Sequence, residues 1–106
     1  MDLFELVKQK APDILKLAEM HGAENIRLFG SVARHQSDEK SDIDFLIDPG
    51  PKEKWSPWFP GGLLMDLQDL LGTKVDIAIA RSLKPRIKDR VLNEAVPICE
   101  MIKNIY

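Results

Sequence analysis

At 106 residues, with 44% hydrophobic and 30% charged side chains, the chain has the composition of an ordinary globular protein and the length of one domain. Its formal charge of −2 argues against a general nucleic-acid binder, because such proteins usually carry a strongly basic face. The N-terminus lacks the apolar segment of a signal peptide, and no apolar run approaches the roughly 20 residues that cross a bilayer. We expect a single domain, residues 1–106, located in the cytoplasm, with no membrane contact and no direct nucleic-acid binding.

The N-terminal third of the chain predicts helix followed by strand. Apolar residues at helical spacing indicate a helix over residues 2–9 that continues to Gly22, either as one helix or as two with a break at Pro12. Asp2 and Glu5 are spaced like a capping pair, and Gly22 suits a helix C-terminus. Residues 26–29 then predict a short strand.

Polar residues 32–41 predict a helical turn followed by a loop. Residues 42–48 alternate as a strand does, with Ile43, Phe45 and Ile47 on one face and Asp42, Asp44 and Leu46 on the other. Residues 49–62 hold four of the seven prolines, which predicts an irregular loop.

The C-terminal part predicts a helix, a strand and a helix. Residues 63–71 indicate a helix closed by Gly72, and residues 75–80 alternate as a second such strand. Ser82 is a candidate cap for the last helix, and residues 96–105 predict a short strand or tail. Cys99 is the only cysteine, so we expect a reducing compartment and a buried, inert thiol.

Together these elements predict an α+β domain with a small mixed β-sheet covered by helices on one face. Asp42, Asp44 and Asp76 would point to the uncovered face. Asp42 and Asp44 stand two residues apart in one strand, so their side chains share a face about 6.5–7 Å apart along the chain. Asp76 repeats the arrangement on the next strand.

Carboxylates this close resist joint ionisation unless a cation lies between them. Magnesium prefers carboxylate and phosphate oxygens, and three such acids can hold two ions for in-line phosphoryl displacement. A lone aspartate would more often be a solvated surface residue. The pair, taken with the Gly-Ser motif that precedes it, favours a metal site.

That motif is Gly30-Ser31, directly after the first strand. A strand that runs into a Gly-Ser turn and a helix presents backbone N–H groups and a hydroxyl to a phosphate. Alone, Gly-Ser would indicate a simple turn. Its position ten residues before Asp42-Ile43-Asp44 makes the combination rare by chance and favours a nucleotide site.

The segment GSVARHQSDEKSDIDFLID resembles the signature of the minimal nucleotidyltransferase group of the DNA polymerase beta-like nucleotidyltransferase superfamily. That signature is Gly-Ser, ten residues and Asp-x-Asp. The downstream segment LLGTKVDIAIARSLKPRIKDRVLNEAVPI resembles the second half of the group, so the resemblance covers residues 26–98. His35 departs from the glycine more often found after Ala-Arg; we expect it to restrict the turn and to be exposed.

The resemblance implies an enzyme that uses ATP and two magnesium ions. Gly30 and Ser31 would hold the ATP phosphates, and Asp42 and Asp44 would bind both ions. Asp76 would hold the ion nearer the acceptor hydroxyl. Arg34, one helical turn past Ser31, is equally well a phosphate ligand or a surface arginine.

The resemblance also implies a partner. In this group the small domain is often encoded beside a HEPN-domain ribonuclease toxin and acts as its antitoxin by attaching AMP to a tyrosine of the toxin, in an assembly with it. One alternative is a nucleotidyltransferase that acts on a small molecule or RNA, for which residues 81–106 offer little acceptor-binding surface. Another is a non-catalytic partner that caps a toxin, which the intact set of motif carboxylates disfavours.

The loop over residues 49–62 carries three large aromatic side chains, Trp55, Trp58 and Phe59. They either pack back on the domain or contact the adenine or the partner, and the sequence supports both equally. Because the loop follows the strand with Asp42 and Asp44, we expect its base to lie near the metal ions and Trp58 to engage the partner.

Overall fold

The computed structural model describes residues 2–38 and 40–102, and it is a mixed sheet with helices packed on it. The helices are α1 (Leu3–Gln9), α2 (Ala11–His21), α3 (Gly30–Ala33), α4 (Gly61–Leu71), α5 (Pro85–Glu94) and α6 (Ile98–Ile102). The strands are β1 (Ala23–Phe29), β2 (Ile43–Pro49), β3 (Val75–Ile79) and β4 (Val96–Pro97). Two short 3₁₀ turns lie at Lys52–Lys54 and Ala80–Ser82. No helix in the described ranges has the length and apolarity needed to cross a membrane.

The strand order is β3-β2-β1-β4, with β1 antiparallel to both β2 and β4 and β2 parallel to β3. Parallel strands need a crossover, which α4 supplies. β1 therefore ends where β2 and β3 begin, and we name this edge of the sheet the site end. The opposite edge, where β2 ends and the segment before α4 starts, is the loop end.

Alternation along β2 separates two apolar clusters. Ile43, Phe45 and Ile47 are fully buried in the main core, which packs against the helices on one face. Leu46 points to the other face, where it is buried with Ala80 and with Val91 of α5. The α+β class and the mixed sheet are confirmed, but the second face is not bare, because α5 covers its centre.

Several predicted helix ends hold, one is shifted by two residues and one is wrong. The Asp2 carboxylate accepts a hydrogen bond from the Glu5 N–H at 2.8 Å, as a cap does, and Gly22 ends α2 in the left-handed conformation. Of the two readings of this segment, two helices are found, and the break between them lies at Lys10 rather than at Pro12. Pro12 lies in the first turn of α2, where its missing N–H costs nothing. Ser82 does not cap α5, which begins at Pro85 with Lys84 before it.

The C-terminal elements correct two further expectations. A short strand is found at Val96–Pro97, as predicted, but Ile98–Ile102 form the helix α6 rather than a continuation of the strand or a tail; residues 103–105 lie outside the described part. Cys99 is exposed, not buried, because α6 turns Ile98, Met101 and Ile102 to the core instead. Its side chain borders a groove of about 230 Å³ between α2 and the start of β1, away from the predicted site residues.

Candidate active site

Gly30 joins β1 to α3 and lies against Asp44 of β2. Its φ of +77° is in the left-handed region that side chains rarely adopt. A Cβ at this position would collide with the Oδ2 atom of Asp44. Glycine is therefore required for its backbone angle and for the space that the Asp44 carboxylate fills.

Ser31 follows in the first turn of α3 and is half-buried. Its carbonyl accepts the N–H of Gln36 at 2.9 Å, which closes the turn after α3. Because Gly30 contacts Asp44, the Ser31 hydroxyl and the Asp44 carboxylate belong to the same end of the sheet. The motifs that the sequence separates by ten residues are brought together.

Asp44 and Asp76 are direct register partners on the parallel strands β2 and β3, which lie about 4.8 Å apart in any sheet. Asp44 is half-buried and Asp76 is exposed. Burial raises the pKa of Asp44, and the charges of Asp76 and Asp42 raise it further, against an opposing effect of Arg34. One Asp76 oxygen accepts the N–H of Ile77 at 3.0 Å.

Asp42 lies one residue before β2 rather than within it. Its carboxylate is 3.9 Å from the Lys74 ammonium. The Ile43 N–H donates to the Lys74 carbonyl at 3.0 Å, so the residues that enter β2 and β3 are held side by side. Lys74 is a neighbour of the site that the sequence analysis missed, although it stands two residues before Asp76.

The three aspartates thus share one end of the sheet, and their charges act on one another. Their side chains do not converge on a single point: within residues 2–38 and 40–102, no three Asp, Glu, His or Cys side chains form a ready metal-binding group. The donor chemistry nevertheless fits magnesium, because all three are hard carboxylate oxygens. Burial is the largest cause of the raised pKa of Asp44, and repulsion from Asp76 and Asp42, which a cation would relieve, adds to it.

Arg34 lies at the end of α3, and its charge reaches the site. Its guanidinium lowers the pKa of Asp44, while its Nη1 atom donates to Glu94 of α5 at 3.1 Å. Its Nε atom donates to Gln36 at 3.2 Å. The Arg34 charge therefore acts on Asp44, while its guanidinium is paired with the carboxylate of Glu94, a partner that sequence spacing does not reveal.

His35 is exposed, as expected, and has a φ of +58°. That angle explains why a glycine would suit this position. Its ring packs on Phe4 of α1, with centroids 4.1 Å apart. Nothing in this contact points the imidazole at the carboxylates.

The aromatic loop corrects a prediction. It leaves β2 at Pro49, five residues past Asp44, which is about 16 Å along a strand. The loop contacts the opposite end of the domain: the Gly50 N–H donates to the Gly22 carbonyl at 2.9 Å, and the Ser56 N–H donates to the His21 carbonyl at 3.1 Å. Its base lies at the loop end, not near the predicted metal ligands.

Two of the three aromatics pack back on the domain. Trp55 stacks on Phe59 with ring centroids 4.9 Å apart, and its indole N–H donates to the Gly50 carbonyl at 2.8 Å. Trp58 is 89% exposed. Packing back on the domain is therefore confirmed for Trp55 and Phe59, and contact of the exposed Trp58 with the adenine or the partner stays a prediction.

A polar cluster that sequence spacing could not reveal secures this loop. The His21 ring lies between Ser56 and Asp66: Nδ1 is 2.5 Å from the Ser56 oxygen, and Nε2 is 2.6 Å from an Asp66 oxygen. Gly62 lies against the ring, where a Cβ would approach Cε1 to 3.0 Å. The cluster joins α2, the loop and α4 at the loop end.

Comparison with known proteins points to one family. The sequence model described as "Polymerase beta, Nucleotidyltransferase" matches residues 12–104. A Methanocaldococcus jannaschii protein, provisionally named a protein adenylyltransferase, is 36% identical over 98 residues, covering 92% of this chain and 99% of the relative. The protein adenylyltransferase MntA of Thermococcus cleftensis is 36% identical over 81 residues, covering 76% of this chain and 80% of the relative.

Solved structures agree. One described provisionally as a minimal nucleotidyltransferase has a TM-score of 0.78 and 39% identity, covering 92% of this chain and 96% of its own. A toxin-antitoxin structure with AMP-PNP has a TM-score of 0.66 at 22% identity, covering 83% and 71%, and supports the fold alone.

Proposed function

The chain belongs to the polymerase beta nucleotidyltransferase family, and from that premise we propose that it is a magnesium-dependent protein adenylyltransferase. It moves AMP from ATP to a tyrosine hydroxyl of a partner protein. The observation that carries the proposal is the pairing of Asp44 with Asp76 in register, beside a glycine whose side-chain space Asp44 fills.

Asp42 and Asp44 are the proposed ligands of both magnesium ions, and Asp76 is the proposed ligand of the ion nearer the acceptor. When bound, magnesium neutralises phosphate charge and stabilises the attacking and leaving oxygens. The side chains supply the geometry: Asp44 is held between Gly30 and the β3 edge strand, whereas Asp76 is exposed on that strand. An acceptor can therefore approach from the side of Asp76.

Gly30 and Ser31 are the proposed phosphate-binding residues. The left-handed turn at Gly30 brings the start of α3 against Asp44, and the hydroxyl of the half-buried residue Ser31 is a hydrogen-bond donor at the same end of the sheet. Arg34 adds a positive charge beside Asp44, and it reaches a phosphate by exchanging Glu94 for it.

The proposed reaction joins the tyrosine oxygen to the α-phosphorus of ATP. The bond from that phosphorus to the oxygen that bridges to the β-phosphate breaks, and pyrophosphate and the phenolic proton leave. The relatives named as protein adenylyltransferases support a protein acceptor, and the toxin-antitoxin neighbour motivates a toxin as that acceptor. We assign the chain the antitoxin role toward a HEPN-domain ribonuclease.

The test is incubation with magnesium, ATP labelled at the α-phosphate, and a HEPN-domain protein encoded beside this chain. Label on a tyrosine of that protein, lost with the Asp44→Asn variant, is the expected result. Label on RNA or on a small molecule, with none on protein, would support the other transferase branch. Toxin inhibition that persists in Asp44→Asn without any label would support a non-catalytic cap.

A further inference from the structure

A second charged feature of the molecule lies on α5 and the turn before it. Five cations fall within ten residues, against the single anion Asp89: Arg81, Lys84, Arg86, Lys88 and Arg90. This stretch has a net charge of +4 in a chain whose total is −2, so the remaining residues carry −6. We name these five cations the basic helix surface.

The basic helix surface is open. Lys88 is half-buried and the other four are exposed. None of the five forms an ion pair with another residue in the described ranges. Val91 is the buried residue of α5 and Ile87, Lys88 and Glu94 are half-buried, whereas its other residues are exposed, Arg86 and Arg90 among them.

Two of these cations lie at the N-terminus of α5, where positive charge destabilises a helix. Lys84 precedes α5 and Arg86 lies in its first turn, which holds no acidic residue and no side-chain cap. Cations at a helix N-terminus are unfavourable by roughly 0.3–1 kcal/mol each, because they face the positive end of the helix dipole. Local helix stability therefore does not explain them, and the helix dipole adds to their positive potential.

The surface leads toward the site end. Glu94, in the last turn of α5, pairs with Arg34, and the Arg34 charge acts on Asp44. Arg90 is four residues earlier, about 6 Å along the helix axis. The cations thus begin about one helical turn from Glu94, the ion-pair partner of Arg34, and extend away from it along α5.

From this arrangement we infer that the basic helix surface docks an acidic segment of the acceptor protein, next to the hydroxyl that receives AMP. The inference rests on the proposed protein acceptor. Charge complementarity fits such a segment, since potentials of opposite sign steer association and fix orientation. Nucleic acid fits less well, because the stretch 81–95 has no aromatic side chain on which bases could stack and the rest of the chain is acidic.

The binding experiment uses a fluorescent glutamate–tyrosine random copolymer as the probe and fluorescence anisotropy as the readout. The test variant is Arg86→Glu/Arg90→Glu. The matched control is Lys16→Glu/Lys52→Glu, which changes the net charge equally at exposed lysines on α2 and the Lys52–Lys54 turn. We expect the α5 variant to bind at least about tenfold more weakly, the control to bind as the unmodified chain does, and added salt to weaken binding.

Equal binding by both charge variants would overturn the inference. So would tighter binding of poly(U) RNA than of the copolymer, lost in the α5 variant, since it would assign the surface to nucleic acid. Should Arg86→Glu/Arg90→Glu unfold, Arg86→Gln/Arg90→Gln replaces it.

Transfer of labelled AMP to the copolymer is measured separately. Asp44→Asn should bind the copolymer normally and transfer nothing. α5-dependent binding without transfer by the unmodified chain would leave the docking surface standing and count against the proposed function. Transfer that is insensitive to both charge variants would support the function and overturn the docking surface.

Discussion

The carboxylate of Asp44 occupies the volume that a side chain at Gly30 would need, so the turn after β1 and the start of β2 are fitted to each other. Two separate conditions meet at Gly30: the left-handed backbone, with φ of +77°, and the close approach of the carboxylate. A substitution at Gly30 violates both conditions at once. Gly72 has the left-handed backbone without a close neighbour, so a substitution there tests the backbone condition alone.

Gly30→Ala should lower the free energy of unfolding by more than the roughly 1–2 kcal/mol that left-handed backbone costs a residue with a Cβ, because Asp44 must also move. It should abolish nucleotidyl transfer. Gly72→Ala is the control: Gly72 has φ of +68° but no atom within 4 Å of the added Cβ, so only the backbone cost applies and transfer should survive. Urea unfolding and a transfer assay distinguish the two; equal losses of stability would contradict the contact with Asp44.

Asp44→Asn should abolish transfer without unfolding the protein. Loss of a direct ligand should reduce activity by more than the roughly 10–100-fold typical of a group that only supports a ligand. The pKa of Asp44 is raised in the folded state. Protonated Asp44 therefore stabilises the folded state at pH values below the unfolded pKa, and this stabilisation is lost as pH rises through the folded pKa. At neutral pH without magnesium the Asn variant should therefore melt at the same temperature or higher.

Asp48→Asn should change stability in the direction opposite to Asp44→Asn, although both residues lie on β2. Burial alone would raise the pKa of Asp48, but hydrogen bonds from Arg27 and Asn25 outweigh it and lower the pKa. That stability is present above the unfolded pKa and is lost as pH falls through the folded pKa. Asp48→Asn should lower stability at neutral pH by about 1 kcal/mol or less and leave transfer intact. Thermal melts of Asp44→Asn and Asp48→Asn between acidic and neutral pH are the measurement. If the melting temperature of both variants, relative to the unmodified chain, changes with pH in the same direction, the opposite pKa shifts of Asp44 and Asp48 are contradicted.

The Arg34–Glu94 pair should compete with nucleotide. If Arg34 exchanges Glu94 for a phosphate, Glu94→Gln should strengthen ATP binding a few fold and Arg34→Ala should weaken it by about tenfold, as expected for a hydrogen bond between charged groups of about 1.5 kcal/mol. Titration calorimetry with a non-hydrolysable ATP analogue and magnesium measures both. An Arg34→Ala affinity equal to that of the unmodified chain would leave Arg34 the structural role of joining α3 to α5.

Much of the proposed site could be predicted from sequence because it depends on local spacing. Alternation fixes which way Ile43, Asp44 and Phe45 point, and Gly30-Ser31 marks the end of its strand by turn chemistry alone. The register of Asp44 with Asp76 could not be predicted, since it depends on how α4 returns the chain across the sheet. The pairing of Arg34 with Glu94 spans sixty residues and has no local signature.

The errors have equally specific causes. The aromatic loop was expected near the metal ligands because it follows their strand, but a strand has two ends and the loop leaves the far one. Ser82 was a reasonable cap by residue type, yet Pro85 suits the first position of a helix better and sets its start. Coverage of the second sheet face by α5 rests on the buried contact between Leu46 and Val91, and chain order alone does not predict it.

The loop-end position changes what a Trp58 substitution tests. Trp58, Met20 and Met65 are exposed by 89%, 70% and 66%. They lie one or two residues along the chain from Ser56, His21 and Asp66, the residues of the polar cluster. The cluster thus anchors three exposed apolar side chains at one end of the domain, a combination typical of a binding surface.

We expect Trp58→Ala to leave the melting temperature and ATP binding unchanged, because the side chain is almost fully exposed. Trp55→Ala, the matched control, loses the stack on Phe59 and the hydrogen bond to Gly50, which should cost about 2 kcal/mol of stability. If a partner reaches the loop end, Trp58→Ala should weaken its modification by about thirtyfold, as for an interface tryptophan worth about 2 kcal/mol. The loop begins at Pro49, about 16 Å along β2 from Asp44. The loss should therefore be in KM for the partner and not in kcat. A loss in kcat, or a lower melting temperature, would contradict this placement.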